Sequence, residues 1–147
     1  MTRTAGAVLF CVLAASTLDA HVTVAPRQSQ AGTEQRYTVR VPTEGQVTTT
    51  SVELEVPAGV AIVEVVNGDG YTFATRVEQE RVVAITWTRD ILPRQTAEFV
   101  FVARNPDGAQ IVWKARQRFA DGTSADWVGV EGDRRPASIT TLTPGGR

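Results

Sequence analysis

Apolar and polar residues alternate with a period of two along most of this chain, which confines it to β structure. Tyr37, Val39 and Val41 are separated by Thr38 and Arg40, and Val52, Leu54 and Val56 by Glu53 and Glu55. The pattern repeats in Tyr71 and Phe73, in Val83, Ile85 and Trp87, and in Phe99, Phe101 and Ala103. Ile111, Trp113, Ala115, Gln117 and Phe119 stand opposite Lys114, Arg116 and Arg118. Successive strand side chains point to opposite faces, so each run offers one face to a core and one to solvent. Shorter segments at Val22 to Val24 and Trp127 to Val130 complete the set. Turn formers separate the runs: Pro42, Pro57-Ala58-Gly59, Asn67-Gly68-Asp69-Gly70, Pro93, Asn105-Pro106-Asp107-Gly108 and Asp121-Gly122. No stretch sustains the 3.6-residue period of an amphipathic helix. About seven to nine short strands predict an all-β fold, an antiparallel immunoglobulin-like β-sandwich.

The N-terminal segment follows other rules. Arg3 gives a single positive charge, and residues 5–16 form an apolar run. That run is too short for a membrane anchor and suits the core of a signal peptide. Small Ala20 follows, so residues 1–20 read as a signal peptide cut after Ala20. A lipoprotein cut at Cys11 is disfavoured because Phe10 stands where a small residue is needed. The chain's 147 residues suit one domain, expected at 21–133, with 134–147 as a C-terminal segment whose end is flexible. The expected destination is the periplasm or the exterior, with no membrane anchor after signal removal. Cys11 is the chain's one cysteine, so the mature domain has neither a disulfide nor a thiolate metal site. A net charge of −1 without a basic block argues against nucleic acid as a partner.

The same cut would make His21, the one histidine, the first residue of the mature chain. Its α-amine and its imidazole Nδ1 then close a six-membered ring on a metal. Both donors arrive for the entropy of placing one residue. Cu(II) favours nitrogen donors in a tetragonal plane and heads the affinity order of the divalent first-row metals. The amine has a reference pKa of about 7.7–8.0, so the metal displaces a proton there and binding weakens in acid. The plain alternative is an exposed histidine beside a cleavage site.

Further segments bear on that choice. His21-Val22-Thr23-Val24-Ala25-Pro26 follows the signal directly, and Tyr37-Thr38-Val39-Arg40-Val41-Pro42-Thr43-Glu44 comes next. Then come Thr49 to Pro57, Ile85-Thr86-Trp87, Phe99 to Pro106, Trp113-Lys114-Ala115, Phe119 to Thr123 and Asp126-Trp127-Val128-Gly129. In that order they resemble the YcnI-like (DUF1775) family of exported copper-binding proteins across nearly all of the mature domain. The resemblance implies a monohistidine brace for Cu(II). His21 supplies amine and imidazole nitrogens, Glu44 a carboxylate oxygen, and Trp127 lies against the ion. Indole is a poor σ-donor whose N–H does not ionise near neutral pH, so Trp127 would pack through its π face. The plain alternatives are a solvated turn glutamate for Glu44 and a core or rim residue for Trp127. Glu53 is the nearest competing carboxylate, but its alternation turns it to solvent. Trp87 and Trp113 lie in regular strands and read as core. The chain departs from the family pattern at Val128, where a small polar residue is expected, and at Asp126, where glutamate is usual. It also ends at Gly145-Gly146-Arg147 without the membrane helix many relatives carry, which implies a free protein.

Three functions are compatible with these features. One is an exported copper-binding protein, a metallochaperone, store or sensor, with the copper ion and another copper-trafficking protein as partners. The second is a metal-free extracellular sandwich that binds protein or glycan. The third is a copper monooxygenase, which needs a second histidine that this chain lacks. No other catalytic set is present, and a non-enzyme is expected.

Overall fold

A computed structural model describes residues 20–146. The expected signal segment therefore lies, except for Ala20, outside the described residues. Twelve strands and no helix are found among them.

The first sheet has four strands in the order β1 (Thr23–Ala25), β3 (Glu34–Pro42), β8 (Thr96–Arg104) and β5 (Ala61–Val65). The second has five, in the order β11 (Ser124–Trp127), β10 (Ala115–Phe119), β4 (Thr49–Glu55), β7 (Arg81–Ile91) and β6 (Thr72–Glu78). Every pairing in these two sheets is antiparallel. A small third sheet joins β2 (Gln28–Gln30), β12 (Ser138–Thr143) and β9 (Gln110–Trp113), with β2 and β12 parallel.

The two large sheets face each other across the core that the alternation predicts. Tyr37, Val39 and Val41 of β3 and Phe99, Phe101 and Ala103 of β8 meet Val52 and Leu54 of β4 and Ile85 and Trp87 of β7. Trp87 stacks on Phe99 at 5.3 Å between ring centroids, and Trp113 meets Tyr37 edge-on at 5.1 Å. Trp87 and Trp113 are fully buried, as their strand positions require.

Three features differ from the sequence expectation. The strands number twelve rather than seven to nine. The run from Ile111 to Phe119 is two strands, because the chain passes at Lys114 from the small sheet to the five-stranded one. The sandwich also continues past residue 133. β12 buries Thr140 and Leu142 and pairs on both sides, so the domain runs to Thr143.

Candidate metal centre

Three segments remote in sequence meet around one cleft. The first is the chain entering β1. Val22 is buried, Thr23 pairs with Arg40, and half-buried His21 sits just before the paired residues. The second is the loop between β3 and β4. Its root is fixed by Thr43, 1% exposed, whose N–H donates to the Gln95 carbonyl at 2.9 Å and whose carbonyl accepts from the Arg94 N–H at 2.8 Å. Glu44, Gly45 and Gln46 then project into solvent beyond this root. The third is β11, where Ala125 and Trp127 turn inward while Ser124 and Asp126 turn out.

The cleft holds about 390 Å³, and His21, Glu44, Gln117, Trp127, Arg134 and Arg135 are among its walls. The His21 and Trp127 rings lie 5.5 Å apart between centroids at an angle of 55°. Trp127 is only 7% exposed. Its indole N–H donates to Gln117 Oε1 at 3.2 Å. The nitrogen is thus already engaged, and the ring is what meets His21. A smaller cleft of about 210 Å³, walled by Arg40, Arg94 and Thr96, shares Ala20, Pro42 and Glu44 with it.

The structure thus brings His21, Glu44 and Trp127, the residues singled out by the family resemblance, to one cleft. The side-chain donors there are one imidazole and one carboxylate. Among the described residues no group of three or more His, Cys, Asp or Glu side chains forms an ordinary metal cage. A nitrogen-rich site on this donor set therefore depends on a further nitrogen. The backbone nitrogen of His21 is an amide while Ala20 is attached, and becomes a donor amine when that bond is cut.

The competing residues lie elsewhere. Glu53 faces outward and pairs with Arg76 at 3.5 Å. Asp126, on the outer face of β11, is bound by Arg116 at 2.7 and 3.2 Å. Those hydrogen bonds hold its carboxyl below the usual carboxylate range. Val128 is exposed and outside the cleft walls.

Sequence reasoning missed three of the walls. Gln117 carried a visible signal, a polar residue at an inward position of an alternating strand. Arg134 and Arg135 carried none, because their segment was placed beyond the sandwich. They are held over the cleft by a tight loop, in which the Gly129 N–H donates to the Arg135 carbonyl at 2.9 Å and the Ala137 N–H to the Gly129 carbonyl at 2.9 Å. A Cβ at residue 129 would come within 3.1 Å of the Arg135 carbonyl oxygen, which explains the glycine.

Comparison with known proteins shows the family and the fold. The copper-binding protein CutI of Bacillus subtilis (strain 168) is 37% identical over 142 residues, which cover 94% of this chain and 68% of CutI. A solved structure from Nocardia farcinica, described as an uncharacterized protein with an immunoglobulin-like fold, is 28% identical with a TM-score of 0.72. That match covers 84% of this chain and 98% of the other. A cohesin module from a Clostridium perfringens family 33 glycoside hydrolase has a TM-score of 0.57 at 14% identity, covering 87% of this chain and 99% of the module, and shares the fold alone. The model of the domain of unknown function DUF1775 matches residues 21–142, from His21 into the final strand. The chain belongs to the DUF1775 family.

Proposed function

We propose that the processed protein is an exported Cu(II)-binding protein that holds its ion in a monohistidine brace. The observation that carries this is the convergence on one cleft of His21, whose ring lies tilted at 5.5 Å from that of Trp127, with the loop carboxylate of Glu44. The copper-binding relative and a family match that starts at His21 support it.

Each residue has a defined task. His21 contributes imidazole Nδ1 and, after cleavage, its amine, which together form the chelate. Glu44 contributes a carboxylate oxygen that offsets part of the dication's charge. Trp127 closes the site from beneath with a ring, shielding the ion from water without donating to it. Copper is cargo here rather than a catalytic cofactor, and the protein acts as a metallochaperone, store or sensor, periplasmic or secreted. The chain's single histidine speaks against monooxygenase chemistry of the kind that needs a second one.

The test is a Cu(II) titration followed by electron paramagnetic resonance on protein beginning at His21 and on protein carrying one additional residue before it. The processed form should take one Cu(II) with a nitrogen-rich signal, and the extended form should bind at least about tenfold more weakly, since it loses one of two chelating nitrogens. Equal affinity in the two forms would refute the brace. No binding by either would favour a metal-free interaction module.

A further inference from the structure

The cleft is underlain by a buried hydrogen-bonded chain centred on Gln117, which is 2% exposed on β10. Its Oε1 accepts from Trp127 Nε1 at 3.2 Å. Its Nε2 donates to the Pro42 carbonyl at 2.9 Å and to Thr49 Oγ1 at 2.7 Å. Thr49 Oγ1 lies 2.6 Å from Thr43 Oγ1, which donates to the Ile91 carbonyl at 3.0 Å. Because the Thr43 proton is committed to Ile91, the Thr49 hydroxyl is the donor to Thr43. The protons therefore all run one way, from Trp127 to Gln117 and from Gln117 through Thr49 and Thr43 to Ile91.

That direction fixes the amide of Gln117. Turning it over would set its NH₂ against the indole N–H and its oxygen against the Pro42 carbonyl, two like-with-like clashes at a side chain only 2% exposed. Pro42 ends β3 two residues before Glu44, and Thr49 opens β4 after the same loop. One buried side chain thus spans β10, β11 and both roots of the Glu44 loop.

We propose that Gln117 is a positioning residue for the copper centre. It aims the Trp127 ring at His21 and holds the loop from which Glu44 reaches the ion, without being a ligand itself. The proposal rests on the brace reading above, and its effect is on the geometry of the site rather than on its stoichiometry.

The experiment uses processed protein beginning at His21, with copper(II) sulfate as probe, and compares it with Gln117→Met and Thr49→Val. Methionine keeps the length and loses both the donors and the acceptor. In the copper-free state, indole N–H exchange of Trp127, followed by nuclear magnetic resonance, should be about tenfold faster in Gln117→Met, the scale expected when a buried hydrogen bond is lost. With copper, that variant should still bind one equivalent through the His21 nitrogens. Its paramagnetic resonance parameters should shift, and copper should quench less of its tryptophan fluorescence. Thr49→Val, which leaves the Gln117–Trp127 bond in place, should shift the copper signal in the same direction by less, and it decides the matter if Gln117→Met does not fold. Unchanged indole exchange together with an unchanged copper signal in the folded variants would overturn the proposal. The form extended before His21 is run alongside. Insensitivity of native binding to that extension defeats the brace, whereas sensitivity to it with an unaltered Gln117→Met signal defeats the role of Gln117 alone.

Discussion

The three tryptophans show how a single residue's surroundings decide what it does. Trp87 is core and nothing more: it stacks on Phe99, and among the described residues its Nε1 meets no hydrogen-bond partner. Trp113 is core with its polar atom satisfied. Its Nε1 donates to Thr140 Oγ1 at 3.0 Å, and that hydroxyl donates onward to the Pro26 carbonyl at 2.9 Å. Thr140 is fully buried, so Thr140→Val keeps the shape and strands one N–H and one carbonyl. The expected cost is about 1–3 kcal/mol, measured as a lowered urea midpoint with an unchanged slope. Trp127 is buried too, yet it walls a cleft and meets a histidine. Alternation marks Trp87 and Trp113 as inward residues from the sequence alone. It makes no such assignment for Trp127, which opens the segment expected at Trp127 to Val130 but closes β11 in the fold, and it carries no information about which remote segment the ring will face. The family resemblance supplied that, and Gln117 shows the limit of both. An inward glutamine was visible in the run from Ile111, while its partners in β3, β4 and β11 exist only after folding.

Among elements, the strands that could be read are those whose apolar residues keep strict alternation. β5 escaped because an irregularity between Ile62 and Glu64 shifts its pairing with β8, so its apolar residues fall out of step. β2 has no apolar residue, and β12, Ser-Ile-Thr-Thr-Leu-Thr, buries a threonine as often as a leucine. The break at Lys114 was invisible for the opposite reason. Ile111, Trp113, Ala115 and Gln117 stay inward on both sides of it, so the period survives while the chain changes sheets. The hairpin between β6 and β7 is a further case. Glu78 pairs with Arg81, and the two residues between them, Gln79 and Glu80, hold positive φ of 49° and 61°. Such a two-residue turn favours Asn-Gly, which tolerates that backbone at less cost. Replacing Gln79-Glu80 by Asn-Gly should stabilise the domain by about 1 kcal/mol, seen as a higher melting temperature with unaltered copper binding. No gain in melting temperature would show that the strain is relieved elsewhere in the hairpin.

At the scale of the whole molecule, the brace proposed above would take its ligands from His21, just before β1, and from Glu44 in the β3–β4 loop, with Trp127 of β11 beside them, so the centre would be a property of the folded state. An ion that binds the folded chain in preference to the unfolded one stabilises it by mass action. For the processed protein at a hundred times the dissociation constant that amounts to about 2.7 kcal/mol. Scanning calorimetry should therefore show a melting temperature that climbs with Cu(II) for protein beginning at His21. The form extended by one residue should climb much less at equal copper, and chelation of the metal should return both to the copper-free value. Parallel curves for the two forms would mean that the ion is not held through the terminal amine.

The hydroxyl of Ser138 accepts from the Val24 N–H at 2.9 Å and donates back to the Val24 carbonyl at 3.3 Å, across 114 residues of sequence. It belongs to β12, the last of the twelve strands to be synthesised, and it clasps the first. The direction in which His21 points is therefore settled only once the far end of the domain has emerged and docked. A chain still being made carries the histidine but not the place it occupies. On the brace reading the centre is consequently late in the life of the molecule, and copper uptake there would report that both the cut before His21 and folding are complete.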